Sequence, residues 1–172
     1  MTEIRTLKEL IETHAGGVIG GWDNLQAVIP GGSSMPLIPK ETCETLTMDF
    51  DSLMAQKSGL GTAGIVVINK DQDIIKCMAR IARFYKHESC GQCTPCREGH
   101  VQIVNLLKKF VNYTATHKDY QSLASLASVI HETTLCGLGQ TSPTSILSTM
   151  EFFKEDYIER MRLSSEGGRN NG

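Results

Sequence analysis

Three cysteines spaced two residues apart, with a fourth far along the chain, constrain the fold more than any other feature of this sequence. The segment 87–99 reads HESCGQCTPCREG and contains Cys90, Cys93 and Cys96. Cys136 follows after 39 intervening residues. A fold that uses the four thiols together must bring the loop around Cys136 back to this segment.

Four cysteine thiolates are the usual ligands of a [4Fe–4S] cluster. Three thiolates in one short loop hold three corners of such a cluster, and the fourth corner takes a ligand from elsewhere in the fold. The spacing therefore predicts Cys90, Cys93, Cys96 and Cys136 as ligands of one [4Fe–4S] cluster. A two-cluster ferredoxin would need more cysteines than the six present, and residue 137 is glycine rather than that motif's proline.

A zinc site is the alternative interpretation of the same cysteines. Four-cysteine zinc sites normally take two separated Cys-x-x-Cys pairs, and Cys136 has no second cysteine beside it. Either His87 or His100 would complete a zinc site with the loop cysteines, so the spacing leaves zinc open. Cys43 and Cys77 lie outside the motif, and each is expected to be a buried or idle thiol.

Composition excludes several classes of protein. Hydrophobic residues make up 40% of the 172 residues and charged residues 21%, so a packed core is feasible. The net charge of −2 argues against a dedicated nucleic-acid binder. No stretch approaches the ~20 consecutive apolar residues that span a bilayer, and residues 1–10 have the features of neither a secretory signal nor a transit peptide. We therefore expect a soluble protein with its cysteines in a reducing compartment, as metal ligands or idle thiols rather than disulfides.

The first part of the chain has the pattern of a small α+β domain. Its apolar residues predict a short helix over 6–14. Runs rich in β-branched residues predict strands over 25–29 and 63–68, and alternation of polar and apolar residues predicts a third strand over 45–50.

From residue 73 onward the hydrophobic period becomes that of helices. Apolar stripes over 74–85, 101–111, 123–130 and 142–161 predict four amphipathic helices joined by short loops, which is typical of a bundle. Ser142 and the proline after it predict an N-cap followed by the first residue of the fourth helix. If the second and third helices are antiparallel, the two cysteine-bearing loops meet at one end of the bundle.

The motif and its surroundings resemble a known family. The segment ESCGQCTPCREG, with its distant cysteine, resembles the cluster signature of the NADH- and FMN-binding flavoprotein subunit of respiratory complex I. The flavoprotein subunits of NAD-linked hydrogenases and formate dehydrogenases belong to the same family. The stretches GGWDNLQAVIPGGSSMPLIP and MDFDSLMAQKSGLGTAGIVVI are similar to the soluble-ligand-binding β-grasp (SLBB) domain that precedes the cluster, so the resemblance runs from about Leu7 to Met161.

The resemblance implies an α+β fold: a ubiquitin-like β-grasp SLBB domain over 1–72, a four-helix bundle carrying the iron–sulfur cluster over 73–163, and a flexible tail over 164–172. It implies that the cluster accepts electrons from reduced flavin and passes them to clusters in neighbouring subunits. The expected function is an electron relay of an NADH:acceptor oxidoreductase of the ubiquinone type. The cluster ligands that the resemblance implies are Cys90, Cys93, Cys96 and Cys136, and no catalytic residue is expected.

The family's FMN- and NADH-binding domain has no counterpart in this sequence. We find neither a G-x-G-x-x-G fingerprint after a strand nor a P-loop. FMN and NAD(H) are therefore expected in a missing or partner domain, and the chain is not expected to oxidise NADH alone. The implied partners are that flavin domain in trans and neighbouring iron–sulfur subunits, without nucleic acid or membrane insertion. The implied location is the mitochondrial matrix side, a mitochondrion-derived organelle or the bacterial cytoplasm, peripheral to the membrane if part of complex I.

Two alternatives stay open from the sequence. The segments CGLGQTSP and ILSTMEFF look more like the hydrogenase and formate dehydrogenase flavoproteins, so the chain is alternatively a fragment of such a flavoprotein. The other alternative is a structural or assembly module in which iron–sulfur or zinc only staples the helices.

Smaller expectations concern residues near the cysteines. Gly91 and Gly99 are predicted to let the backbone approach the sulfides of the cluster. Lys86 and Arg97 either stabilise the reduced cluster or are solvated surface charges. His131, near the end of the third helix, is predicted to belong to a polar helix end rather than to a catalytic pair.

Overall fold

The computed structural model describes residues 5–167, with side chains described over 5–161. The chain divides into two compact units, Met1–Asp73 and Ile74–Gly172. The first unit contains a small sheet with short helices, and the second is helical over its described residues. No helix of the described part has the length and apolar character that crossing a membrane requires.

A three-stranded antiparallel sheet organises the first unit. Its strands are β1 (Leu25–Ile29), β2 (Ile38–Pro39) and β3 (Val66–Asn69), in the order β2-β1-β3. Val28 of β1 lies opposite Ile38 of β2. The predicted strands over 25–29 and 63–68 are confirmed, although β3 begins three residues later than expected. Strand β2 was not predicted because two residues, one of them proline, give no alternating pattern.

Short helices pack beside this sheet. Helix α1 (Leu7–Glu9) begins where the Thr6 hydroxyl accepts a hydrogen bond from the Glu9 amide, and it continues as a π-helical turn over Leu10–His14. This confirms the helix predicted over 6–14. Helices α2 (Lys40–Cys43) and α3 (Phe50–Ala55) follow later in the unit.

The prediction of a strand over 45–50 is wrong. Only an isolated bridge forms there, between Thr47 and Thr6. The Asp49 carboxylate accepts the Ser52 amide at 2.8 Å and caps α3 instead. An aspartate that bonds the backbone three residues on favours a helix start over a strand, and here this local bond outweighs the polar–apolar alternation.

Six helices form the second unit over the described residues. They are α4 (Ile74–Glu88), α5 (Thr94–Val111), α6 (His117–Thr133), α7 (Gly137–Thr141), α8 (Thr144–Phe152) and α9 (Lys154–Gly167). Helix α5 contacts α4, α6 and α9, and α8 contacts α4, α6 and α9. Buried apolar side chains on these helices include Ile75, Met78, Ile103, Leu107, Phe110, Leu123, Ala127, Ile130 and Tyr157.

The predicted fourth helix differs from the observed one. It is divided at Phe153 into α8 and α9. The Ser142 hydroxyl does not cap α8, because it bonds His100 and the Gly139 carbonyl instead. Helix α9 continues to Gly167, so residues 164–167 of the predicted tail are helical. Residues 168–172 lie outside the described part.

A capping box fixes the start of α6 against the end of α5. The Thr116 hydroxyl accepts the Asp119 amide, the Asp119 carboxylate accepts the Thr116 amide, and Lys109 donates to Asp119 at 2.6 Å. Hydrogen bonding from Lys109 is the largest cause that lowers the pKa of Asp119 to about 2. The box therefore caps the start of α6 and also links it to the end of α5.

We expect Asp119→Asn to destabilise the helical unit by about 1–2 kcal/mol at neutral pH. The folded-state pKa is depressed below the usual value near 3.9, so this stabilisation is present above about pH 4 and is lost as pH falls toward 2. Urea unfolding of wild type and variant across this range measures the difference. Thr116→Ser, which keeps the hydroxyl, is the control. A difference between wild type and Asp119→Asn that persists unchanged at pH 2 would contradict this explanation.

Candidate metal centre

Two antiparallel helices bring the cysteine-bearing segments to one end of the second unit. Cys93 is the N-cap of α5, Cys96 lies in its first turn, and Cys136 is the N-cap of α7. Gly99 near the start of α5 lies against Ile130 near the end of α6. Since the Lys109–Asp119 pair joins the opposite ends of the same helices, α5 and α6 run antiparallel.

The structure brings Cys93 and Cys96 together and places the residue before Cys136 against them. The backbone N–H of Leu135 donates a hydrogen bond to the Cys93 sulfur, and this is the largest cause that lowers the pKa of Cys93. The Cys96 thiol also bonds the Cys93 sulfur. Burial raises the pKa of Cys96, and the charges of Cys93 and Cys136 raise it further. The segment around Cys136 is therefore in contact with the first cysteine loop.

Cys90 is exposed at the start of that loop. The loop turns at Gly91, whose φ of +79° lies in the left-handed region that glycine adopts readily. The Gly91 amide donates to the Ser89 hydroxyl, and the Gly91 carbonyl accepts from Arg97 at 2.7 Å.

The charged residues near the loop are exposed. Arg97 bonds the Gly91 carbonyl and Glu98, so it stabilises the shape of the loop. Lys86 and His87 lie in the last turn of α4, with exposed side chains. Arg97 was expected either to stabilise the reduced cluster or to be a solvated surface charge. The structure adds a third role, because its bond to Gly91 supports the backbone next to Cys90.

His100 is buried beside Cys96. Its Nδ1 lies 2.8 Å from the Cys96 carbonyl oxygen and 3.4 Å from the Cys96 sulfur. Its Nε2 lies 2.6 Å from the Ser142 hydroxyl. Both ring nitrogens are engaged in hydrogen bonds, which argues against His100 as a zinc ligand. Burial also lowers the pKa of His100.

Hydrogen bonds hold the segment after Cys136 against the end of α6. His131 Nδ1 donates to the Gln140 carbonyl at 2.5 Å, and the Gln140 side chain donates to the Thr134 carbonyl at 3.1 Å. Gly139 lies so close to Thr134 that a β-carbon would meet Thr134 Cβ at 2.6 Å. His131 therefore helps to position the segment after Cys136, and it lies at the end of α6, where a polar helix end was predicted.

Gly99 has a packing role that the sequence analysis did not predict. A β-carbon there would lie 2.6 Å from Ile130 Cδ1 and 2.8 Å from Ile130 Cγ1. Gly99 thus lets α5 and α6 pack closely, which in turn aligns the two cysteine-bearing ends. The prediction that it lets the backbone approach the cluster's sulfides stays a prediction, beside this packing role.

We expect Gly99→Ala to destabilise the helical unit by about 1–3 kcal/mol, because the added methyl would overlap Ile130, which is fully buried. Adding Ile130→Val removes the nearest clashing atom. The double variant should therefore lose less stability than the sum of the two single variants. Urea unfolding of the four proteins measures this coupling, and strict additivity would refute the proposed clash.

Cys43 and Cys77 lie apart from this centre. Cys43 is fully buried in the first unit, where its thiol donates to the Pro39 carbonyl at 3.3 Å. Burial raises the pKa of Cys43 to about 12. Cys43 is therefore an unreactive thiol, as predicted. Cys77 is half-buried on α4.

The donor set fits an iron–sulfur cluster better than one metal ion. Within the part of the chain that the structure describes, no three His, Cys, Asp or Glu side chains converge closely enough to hold a single ion. A zinc ion needs four ligands at about 2.0–2.3 Å from one point. A [4Fe–4S] cluster instead binds each cysteine through a different iron, so the sulfurs need not converge.

Two protein families match the chain. The family described as the NADH-ubiquinone oxidoreductase-F iron-sulfur binding region matches residues 76–160. The SLBB domain family matches residues 1–76. The cysteine motif, α5, α6 and Cys136 all lie within the first match, and the sheet lies within the second.

Curated relatives extend the match over nearly the whole chain. NADH dehydrogenase [ubiquinone] flavoprotein 1, mitochondrial, of Dictyostelium discoideum is 45% identical over 163 residues, which are 93% of this chain and 34% of that protein. The F-type subunit of the NADH-quinone oxidoreductase of Rickettsia bellii is 49% identical over 156 residues, 91% of this chain and 37% of that protein. The chain thus spans about a third of the length of these relatives.

A solved structure has the same fold. It is a chain of an NAD+-reducing [NiFe]-hydrogenase in the H2-reduced state, with a TM-score of 0.71 and 24% sequence identity. The match covers 80% of this chain and 23% of the hydrogenase chain. Taken with the two family matches, the curated relatives confirm the resemblance that the cysteine motif and its surroundings carry. The chain belongs to the family of NADH-ubiquinone oxidoreductase F-type flavoprotein subunits, of which it carries the SLBB domain and the iron–sulfur-binding region.

Proposed function

We propose that Cys90, Cys93, Cys96 and Cys136 bind one [4Fe–4S] cluster, and that the chain is the electron-relay part of an NADH:acceptor oxidoreductase of the ubiquinone type. The observation that carries this proposal is the contact between the two cysteine-bearing segments. The Leu135 amide bonds the Cys93 sulfur, and His100 Nε2 of α5 lies 2.6 Å from the hydroxyl of Ser142, six residues after Cys136. The family match of residues 76–160 supports the choice of an iron–sulfur cluster over zinc.

The residues around the thiols suit a redox role. When bound, the cluster takes up and releases one electron at a time. The Leu135 amide donates to the Cys93 sulfur, and the Ser89 hydroxyl lies 3.2 Å from the Cys96 sulfur. Cys96 is buried, whereas Cys90 and Cys136 are exposed. Hydrogen bonds to the sulfurs and solvent exposure are the quantities that set a cluster's potential.

We further propose a β-grasp SLBB domain over 1–72, an iron–sulfur-binding four-helix bundle over 73–163 and a tail over 164–172. The contacts of α5 with α4, α6 and α9 support the bundle, with α8 and α9 together as its fourth helix. The sheet order β2-β1-β3 supports a small mixed domain before it.

The proposed partners follow from the relatives. Electrons would come from a flavin- and NADH-binding domain in trans and pass to neighbouring iron–sulfur subunits of a complex I-like assembly. The proposed location is the mitochondrial matrix side, a mitochondrion-derived organelle or the bacterial cytoplasm, peripheral to the membrane. The relative named as mitochondrial, of Dictyostelium discoideum, and the relative of Rickettsia bellii support this range.

A part in an NAD-linked hydrogenase is the second candidate, and the fold of the hydrogenase chain supports it. Identity of 45–49% with the complex I relatives, against 24% with that chain, favours the first candidate. Comparing the rate of electron transfer from the reduced chain to iron–sulfur subunits of each enzyme separates them. We expect faster electron transfer to the complex I subunits. Faster transfer to the hydrogenase subunits would instead favour the hydrogenase candidate.

An electron count tests whether the centre is redox-active. The anaerobic chain is reduced with dithionite, freed of excess reductant and titrated with the one-electron oxidant ferricyanide. We expect about one oxidising equivalent per cluster. Zinc-containing protein would consume none, and this result would leave only the metal-stapled structural role.

A further inference from the structure

We infer that His100 is a positioning residue for the cluster, because it joins Cys96 to the segment that carries Cys136 and directs an N–H toward the Cys96 sulfur. This inference rests on the proposed function, since it concerns how the chain holds and tunes that cluster. His100 contacts Cys96 on one side and Ser142 on the other, and Ser142 contacts Gly139. All four residues lie within the second unit.

The hydrogen bonds determine which ring nitrogen carries a proton toward Cys96. The Cys96 carbonyl oxygen, 2.8 Å from His100 Nδ1, is an acceptor only. His100 Nδ1 must therefore be protonated and donate. The Cys96 sulfur lies 3.4 Å from the same nitrogen, so the N–H is shared between the carbonyl and a proposed ligand of the cluster.

The other side of the ring reaches the second cysteine segment. His100 Nε2 lies 2.6 Å from the Ser142 hydroxyl, and the Ser142 oxygen lies 3.0 Å from the Gly139 carbonyl. Ser142 is six residues beyond Cys136, with α7 between them. The imidazole therefore bridges the first turn of α5 to the end of α7, and so couples the positions of two proposed ligands.

The bridge is buried and held in orientation. His100 and Ser142 are each only 2% exposed, so water has no ready access to replace a lost bond. The Tyr85 ring of α4 lies parallel to the imidazole, with 6.3 Å between ring centroids and a 17° interplanar angle. Three helices thus fix the ring that points its N–H at the Cys96 main chain and sulfur.

Two effects follow, one for each side of the ring. An N–H directed at a ligating sulfur stabilises the more negative reduced cluster and raises its reduction potential. The bond to Ser142 holds the Cys136 segment in place and slows loss of the cluster. A purely structural histidine would give the second effect without the first.

Two substitutions of His100 separate the two effects. In His100→Asn the side-chain amide lies near the position of Nδ1 and can replace the N–H toward Cys96. In His100→Gln the amide lies near the position of Nε2 and can replace the bond to Ser142. The oxidised and reduced populations are followed by EPR-monitored redox titration of the whole chain, and iron release to a chelator is timed on the oxidised protein. Ser142→Ala removes only the second bond. Ser128→Ala is the matched control, because that hydroxyl bonds the Ala124 carbonyl of its own helix at 3.1 Å.

We expect His100→Gln to lower the equilibrium constant for reduction about three- to tenfold, where tenfold corresponds to 59 mV for one electron. His100→Asn should keep this constant within about twofold, yet release iron several-fold faster, as Ser142→Ala does. Ser128→Ala should change neither quantity.

The outcomes distinguish this inference from the proposed function. If wild type contains no iron and sulfide, both are overturned. If wild type holds the cluster but His100→Gln and His100→Asn have the same potential as wild type, only the inference is overturned. Circular dichroism checks the helix content of each variant. If His100→Gln is unfolded, the Ser142→Ala variant still tests the bridging role. Iron release from Ser142→Ala at the wild-type rate would then overturn that role.

Discussion

Cys93→Ser, Cys96→Ser and Cys136→Ser proteins should each contain at least about tenfold less iron and acid-labile sulfide per chain than wild type. Serine keeps the size of the side chain but replaces the soft thiolate with a hydroxyl that is not ionised at neutral pH. Cys93 and Cys96 bond each other, and Cys136 begins α7 at the same end of the helical unit. Loss of any one therefore leaves an incomplete ligand set around the remaining sulfurs.

Cys77→Ser is the matched control for this series. Cys77 is half-buried on α4 and lies outside the motif, so this variant should retain the wild-type iron and sulfide content. Cys90→Ser is the most informative member, because the Cys90 side chain is exposed whereas Cys96 is buried. We expect it to lose the cluster as well. A Cys136→Ser protein with full iron and sulfide would refute the proposed fourth ligand.

Gly139→Ala should both destabilise the helical unit and deplete the cluster. The added methyl would lie 2.6 Å from Thr134 Cβ and 2.6 Å from Thr134 Oγ1. Thr134 is buried, and its hydroxyl donates to the Ile130 carbonyl at 2.8 Å, so it cannot turn aside without losing that bond. We expect a cost of about 2–4 kcal/mol, because the backbone of the segment must move away from α6.

The cluster should respond because Gly139 lies three residues after Cys136. Moving this segment displaces a proposed ligand together with the Leu135 amide that bonds Cys93. Gly137→Ala is the matched control, since a β-carbon there meets nothing within 4 Å. Urea unfolding and iron content are measured on both variants. A Gly139→Ala protein as stable as Gly137→Ala and equally rich in iron would contradict the proposed contact between this segment and α6.

Parts of the fold follow from hydrophobic periodicity, and the exceptions have local causes. The strands around 25–29 and 66–69 and helices α4, α5 and α6 lie where apolar runs predict them. The alternation over 45–50 fails because Asp49 caps a helix there. Periodicity also merges α8 and α9, since the apolar stripe continues across the break at Phe153.

The sequence predicts the proposed cysteine ligands of the candidate site, but not the residues that hold those cysteines in place. Cysteine spacing predicts a ligand set, because it depends on residue type and order alone. The roles of His100 and Ser142 depend on contacts between residues 42 positions apart, which spacing does not reveal. The close approach of Gly99 to Ile130 is likewise a tertiary contact, although glycine inside a helix is a signal that a packing reason exists.

The central claim is that this chain holds one redox-active [4Fe–4S] cluster. The measurement that tests it most directly is the EPR spectrum of anaerobically purified, dithionite-reduced protein, with iron and sulfide assayed on the same sample. We predict a low-spin [4Fe–4S]⁺ signal together with about four irons and four sulfides per chain. An EPR-silent sample that contains zinc, or iron without sulfide, would contradict the claim and leave a metal-stapled structural module.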